Sequence, residues 1–363
     1  MAELLEAMGV KIQRTGQRID IDVPAEIDPV APYSLVERMR ASIVVLGPLL
    51  ARIGRARVAM PGGDDFGSRP IDMHLQGLEQ LGATFSYEHG DISGQADRLI
   101  GSEVSLEFPS VGATENLLMA SVLAEGVTVI ENAAREPEIT DLANFLSQMG
   151  AQIEGVGTSR LTIKGVETLT PVTYSVIPDR IEAATYLSAL AVCGGQIRLR
   201  GARPDHMEML LRKLEEMGMN LEEDDSGLRA EVTGRLEAVD VSTLPYPGLA
   251  TDYKPFLVAA LTVAHGAGMV TENIFAGRFR YIDELVRMGA EIRAEGRHAV
   301  VRGVDRLSGA PVRAHDIRAG AALVIAGLAA DGETVISNAH HVDRGYEDLA
   351  GKLSSVGAKV ART

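Results

Sequence analysis

Seven arginines stand where a short polar loop leads into an apolar stretch: Arg40, Arg69, Arg135, Arg180, Arg278, Arg318 and Arg344. The loops read MPGGDDFGSRPIDMH (60–74), NAAREPEITD (132–141), VIPDRIEAA (176–184), NIFAGRFRYID (273–283), AHDIRAG (314–320) and HVDRGYE (341–347), with Arg40 in ERMRAS. A guanidinium beside the free N–H groups of a helix start makes a site for phosphate or carboxylate. Taken singly, each reads as a solvated surface arginine. As a set they predict basic mouths facing across a cleft and binding a polyanionic small molecule. Two more junctions, FPSVGATEN (108–116) and YPGLATDYKP (246–255), have the same form, and in the second Asp252 reads by itself as a helix N-cap.

Other chemistries find no support. No Walker loop or GxGxxG follows a strand, and the 8 histidines show no metal spacing, so neither a metal nor a cofactor is expected. The single cysteine, Cys193, excludes an internal disulfide, suggests a reducing compartment, and reads as a buried, inert thiol in its small-residue run AVCGG. A net charge of −15 argues against nucleic acid or an anionic membrane as main partner. The apolar stretches reach about ten residues, against the ~20 that span a bilayer, and no leader is visible. A cytoplasmic protein is expected.

What positions those loops is a repeat. An amphipathic helix ending in a glycine, then a strand, recurs as LLEAMGVKI, LEQLGATF, LSQMGAQI, LEEMGMNL, LVRMGAEI and LSSVGAKV. The glycines are Gly9, Gly82, Gly150, Gly218, Gly289 and Gly357, separated by 73, 68, 68, 71 and 68 residues. Ile71, Leu75, Leu78 and Leu81 make one apolar face, and Ile139, Leu142, Leu146 and Met149 another. Ahead of each later glycine runs a second helix rich in alanine and glycine, as in VGATENLLMASVLAEG, DYKPFLVAALTVAHGAG and RAGAALVIAGLAADG, suited to burial on all sides. Each unit reads as strand–helix–strand–helix–strand–strand, with small-residue helices inside and amphipathic ones outside. The 363 residues accommodate two domains. Three units each predict 1–177, with repeats 1–3 and the loop at 61–70, and 178–363, with repeats 4–6. Only eight residues precede Gly9, so the symmetry implies a first repeat cut short, as in a shortened or mis-started gene product.

Together PGGDDFGSRPIDMHLQGLEQLGA, FPSVGATENLLMA, NAAREPEITDLANFL, VIPDRIEAATYL, LSGAPVRAHDIRAGAALVIAGL and HHVDRGYE resemble the UDP-N-acetylglucosamine 1-carboxyvinyltransferase family of enolpyruvyl transferases, along essentially the whole chain. The resemblance implies an α/β fold, a two-domain inside-out α/β barrel of six βαβαββ repeats. It implies transfer of the enolpyruvyl group of phosphoenolpyruvate to the 3-hydroxyl of UDP-N-acetylglucosamine, with phosphate released. It also implies that the loop at 61–70 closes over the substrates. The acid on that loop is usually cysteine and here is Asp64, which can protonate a methylene carbon if closure raises its pKa. Without that thiol, insensitivity to the epoxide fosfomycin follows.

By the same resemblance Asp252 contacts the accepting hydroxyl and takes its proton, while Arg69 and Arg344 hold phosphoenolpyruvate. Arg40, Pro70, Ile71, Asp72, Met73, Ser110, Val111 and Gly112 surround the UDP moiety, with His74 in the same pocket. Ile274 touches the sugar nucleotide, Asp316 and Arg318 lie beside the catalytic centre, and Arg180 belongs to the substrate-binding set. Departures from the family are Leu249-Ala250 for Phe-Pro and Ala276 for Glu after Phe275. The family's N-terminal Lys-Asn pair is missing too, which lowers the expected rate on the order of 10²-fold or more. Alternatives are transfer to another nucleotide acceptor, or a remnant that binds UDP-sugars without turnover. The shikimate-pathway enzyme shares the fold but matches poorly, since no Asn-Ala-Gly-Thr segment occurs at the expected loop.

Overall fold

The six repeat glycines all adopt left-handed backbone, with φ of 97° at Gly9, 96° at Gly82, 106° at Gly150, 105° at Gly218, 90° at Gly289 and 102° at Gly357. A residue with a Cβ is strained there, which is why the repeat keeps glycine after each outer helix. These turns are seen in a computed structural model that describes residues 1–62, 71–275 and 277–362. The described residues fall into two compact units, 1–62 with 71–177, and 178–362.

Within the first unit, Val30–Ala31 runs parallel to Arg55–Ala59, which pairs antiparallel with Asp91–Gln95, and that in turn with Thr84–Glu88. Glu103–Ser105, Val127–Glu131, Arg160–Lys164 and Gln152–Glu154 repeat the same order. The helix Val111–Ser121 is the buried inner element, packing Ala113, Leu117, Leu118 and Ala120 at 0% exposure. Asp72–Gln80 and Pro137–Gln148 are the outer helices, and Ile71, Leu75, Leu78 and Leu81 are buried as their spacing required. At the start of the chain the helix Ala2–Ala7 leads into a hairpin of Lys11–Thr15 with Arg18–Asp22.

The second unit has three inner helices, Arg180–Cys193, Lys254–Leu261 and Ile317–Leu328, each in contact with the other two. All eight residues of Lys254–Leu261 are buried. Its central sheet again orders Val241–Ser242, Ala267–Thr271, His298–Arg302 and Glu291–Glu295. Around the helices lie Gly195–Arg200, Gly227–Val232 and Asn220–Asp224 on one side and the parallel pair Pro311–Arg313 with Val335–Ser337 on another. Each unit therefore turns helices inward and sheets outward around its own core, an inside-out α/β barrel. Two expectations fail: Cys193 is exposed, because its helix ends there and the chain turns away at Gly194, and Asp252 does not cap Lys254–Leu261, whose N-cap is Tyr253 with no side-chain cap bond.

Candidate active site

In the second unit the loops before the inner helices bring charges together. Asp252 lies two residues ahead of Lys254–Leu261, and its Oδ1 accepts a 2.6 Å hydrogen bond from Arg278, while the Nε of Arg318 stands 3.9 Å away. Arg278 is 4% exposed on its side chain and Asp252 38%, so the arginine is the wall and the carboxylate faces outward. Burial works to raise the Asp252 carboxyl, but Arg278, Arg318 and Arg180 outweigh it and hold the group well below the usual carboxylate range. It is ionised at neutral pH.

Tyrosines set the arginines. Tyr253 meets the Arg180 guanidinium at 2.9 Å, and Arg318 reaches the Tyr346 hydroxyl, which also bonds Thr185 at 2.7 Å. Asp316 caps the helix Ile317–Leu328, accepting from the N–H groups of Arg318 and Ala319 at 2.8 Å, and so fixes where Arg318 starts. Asp179 does the same for Arg180–Cys193. Ile274 is half-buried on the loop that carries Arg278. Arg344 is exposed after the helix His340–Asp343, two residues ahead of Tyr346. The structure thus brings Arg180, Asp252 and Arg318 together. It adds Arg278, which the sequence offered only as one arginine of the set, and Thr251, Tyr253 and Tyr346, which it did not single out.

In the first unit His74 and Asn116 form a neutral pair. His74 sits on the outer helix Asp72–Gln80 at 7% exposure, and burial together with Arg40 pushes its imidazole down to about 4. Asn116, on the inner helix, accepts from the Gly47 N–H at 2.6 Å, which fixes its amide orientation. Its NH2 group therefore donates to the Ile43 carbonyl at 3.1 Å and faces His74 Nδ1 at 3.1 Å. The imidazole proton is left on Nε2, beside Gly112 at the start of Val111–Ser121. A Cβ at Gly47 would stand 2.4 Å from the Asn116 carbonyl oxygen, so only glycine allows this approach.

Ser110 caps that inner helix, its Oγ accepting from the Ala113 N–H at 3.3 Å. Ser110, Val111 and Gly112 are half-buried there, and Arg40, also half-buried, donates to the Pro61 carbonyl at 3.3 Å. Ile71 is buried, Met73 half-buried and Asp72 exposed. A capped helix start with a neutral N–H donor and a nearby arginine suits an anion. Asp64, Arg69 and Pro70 lie outside the described residues.

Residues 1–353 match the family described as EPSP synthase (3-phosphoshikimate 1-carboxyvinyltransferase). A UDP-N-acetylglucosamine 1-carboxyvinyltransferase of Mycolicibacterium paratuberculosis is 50% identical over 362 residues, covering 100% of this chain and 87% of that protein. Another, of Solidesulfovibrio magneticus, is 51% identical over 360 residues, covering 99% and 86%. Among solved structures, the enolpyruvyl transferase NikO from Streptomyces tendae has a TM-score of 0.88 at 27% identity, over 99% of this chain and 86% of that one. Half of the residues shared along its whole length, on the same fold, mean that the chain belongs to the enolpyruvyl transferases, in the UDP-N-acetylglucosamine 1-carboxyvinyltransferase family.

Proposed function

We propose that the protein moves the enolpyruvyl group of phosphoenolpyruvate to the 3-hydroxyl of UDP-N-acetylglucosamine and releases phosphate, the first committed step of peptidoglycan synthesis. The observation that carries this is Asp252: an ionised, outward-facing carboxylate held by Arg278 and flanked by Arg318. Asp252 accepts the hydrogen bond of the sugar hydroxyl and then its proton, as the oxygen bonds to C2 of phosphoenolpyruvate. Asp64 gives a proton to the methylene carbon in the same addition. Loss of phosphate and of a methyl proton then restores the double bond on the product.

Three arginines make Asp252 a weak base in the empty site. A substrate phosphate or carboxylate that takes up part of their charge raises its basicity as the reactants arrive. Arg69 and Arg344 anchor phosphoenolpyruvate. Arg40, Pro70, Ile71, Asp72, Met73, His74, Ser110, Val111 and Gly112 receive the UDP moiety, Ile274 touches the sugar nucleotide, and Arg180, Asp316 and Arg318 shape the catalytic end. The first unit is then the nucleotide-holding domain with its loop at 61–70, and 178–363 the domain of Asp252. About half of the residues are shared with enzymes named for UDP-N-acetylglucosamine, which favours that acceptor over another nucleotide. Among the described residues no helix is long and apolar enough to cross a membrane, and the single thiol supports placement in the cytoplasm.

Phosphate release from phosphoenolpyruvate with UDP-N-acetylglucosamine as acceptor tests the reading. Release with that acceptor, undiminished after incubation with fosfomycin, is expected. Release only with shikimate 3-phosphate or another nucleotide would reject the acceptor. Tight UDP-N-acetylglucosamine binding without turnover would reject the activity and favour a binding remnant.

A further inference from the structure

Behind Asp252 lies an ion pair sealed from water. Lys254 Nζ and Glu272 Oε2 are 2.9 Å apart, and both side chains are 0% exposed. Stability does not account for it. A buried pair is commonly no better than apolar side chains of the same volume. Lys254 is moreover the first residue of Lys254–Leu261, where the helix dipole opposes a cation.

The bonds of the pair run toward the site. Lys254 Nζ donates to the Arg278 carbonyl at 2.5 Å and lies 3.9 Å over the Phe279 ring. Glu272 accepts from Thr251 Oγ1 at 2.7 Å, from Thr243 Oγ1 at 2.8 Å, and from the N–H groups of Ile274 and Phe275 at 2.7 and 3.1 Å. Thr251 Oγ1 in turn accepts from Arg278 at 3.0 Å, and the other end of that guanidinium holds Asp252. Arg278 is thus gripped at its main chain by Lys254 and at its guanidinium by Thr251, which Glu272 fixes.

We propose that the Lys254–Glu272 pair is a positioning element for the reaction, holding Thr251 and the Arg278 main chain so that Arg278 meets Asp252 in the orientation the acceptor hydroxyl needs. This rests on the reading of Asp252 given above. The groups facing the ammonium are Glu272, Arg278, Asp316 and the buried Tyr281, whose ring is 6.0 Å away. Burial brings Lys254 down to about 8, with Glu272 and Asp316 opposing and Arg278 adding to it.

The test compares the full chain with Lys254→Met and with Lys254→Met/Glu272→Gln, which leaves neither partner as an orphaned charge. In Lys254→Met, kcat is expected to fall roughly 10²-fold while KM for UDP-N-acetylglucosamine changes less than about threefold. Wild-type kcat is expected to decline as the pH rises past about 8, where Lys254 gives up its proton, and that decline is expected to vanish in both variants. The double variant should regain the wild-type melting temperature and not the wild-type kcat. A double variant with kcat within about threefold of wild type, or an alkaline decline unchanged in both variants, would overturn the proposal.

Carboxyl-labelled NMR of Asp252 gives a readout that needs no turnover. Its titration is expected to move upward in the double variant as Arg278 loosens, and an identical titration in both proteins would likewise overturn the proposal. A wild-type chain that releases no phosphate defeats the functional reading instead, and the carboxyl titration still decides on the pair.

Discussion

His74, Asn116 and Gly47 in the first unit, and Asp252, Arg278, Glu272 and Lys254 in the second, are buried or half-buried polar groups beside inner helices of the same repeat. The first set is neutral: an imidazole pushed down to about 4 and an amide that accepts from Gly47, donates to Ile43 and meets His74. The second is ionised throughout, with Asp252 held low by three arginines. Neutral groups can be satisfied by a few local bonds and then act as packing. Charges need partners at every face, and each partner becomes part of the geometry they present. Disturbing Asn116 or Gly47 should therefore show as lost stability, disturbing His74 as lost stability together with weaker nucleotide binding, and disturbing the second set mainly as lost activity.

The largest expected effect is at Asp252. Asp252→Asn keeps the shape and removes the negative charge that accepts the hydroxyl proton, so kcat is expected to fall on the order of 10³-fold. Because that carboxylate also neutralises the buried Arg278 and is held well below its ordinary range, some loss of melting temperature is expected as well. Phosphate release and a thermal melt on the same sample check both halves. A variant that melts early but turns over normally per folded molecule would erase the contrast between the units.

The next effect is at His74. Its folded pKa of about 4 lies below the ordinary 6.5. The unfolded chain thus binds the proton more readily between those values. Stability is full above about pH 6.5 and is lost as the pH falls toward 4, by on the order of 3 kcal/mol in all. Urea titrations at pH 7 and pH 4.5 measure this, and His74→Gln should flatten the slope in that window. An unchanged slope would mean that His74 is not held neutral.

The repeat was legible because its marks are local. A left-handed turn demands glycine wherever it occurs, and an inner helix demands small apolar residues along its length. The polar networks were not legible, since their partners are far apart in the chain. His74 and Asn116 lie 42 positions apart, and Thr251 and Glu272 lie 21 apart. Nothing in the sequence singles out Lys254, and it is the strand Ala267–Thr271 that delivers Glu272 to it. Arg278 was visible as an arginine in a loop, but its bond to Asp252 depends on two loops meeting. Cys193 shows the reverse error: a small-residue run suggested burial, whereas the helix had already reached its end. The surrounding protein still raises its thiol, so exposure has not made it reactive.

The smallest expected effect sharpens the comparison by testing what the units share. Gly82 and Gly218 close outer helices in different units with φ of 96° and 105°. A Cβ added at Gly82 would meet only the Arg98 carbonyl oxygen at 3.8 Å, and one at Gly218 only Leu236 Cδ2 at 3.7 Å. Both are ordinary contacts, so the cost of alanine is the left-handed backbone alone. Gly82→Ala and Gly218→Ala are each expected to lose about 1 kcal/mol in a denaturant titration, with kcat unchanged. Equal losses follow if one turn serves both units as a purely conformational device. A much larger loss at one of them would show that its helix end bears on the neighbouring polar network, His74 in the first unit or the loops around Asp252 in the second.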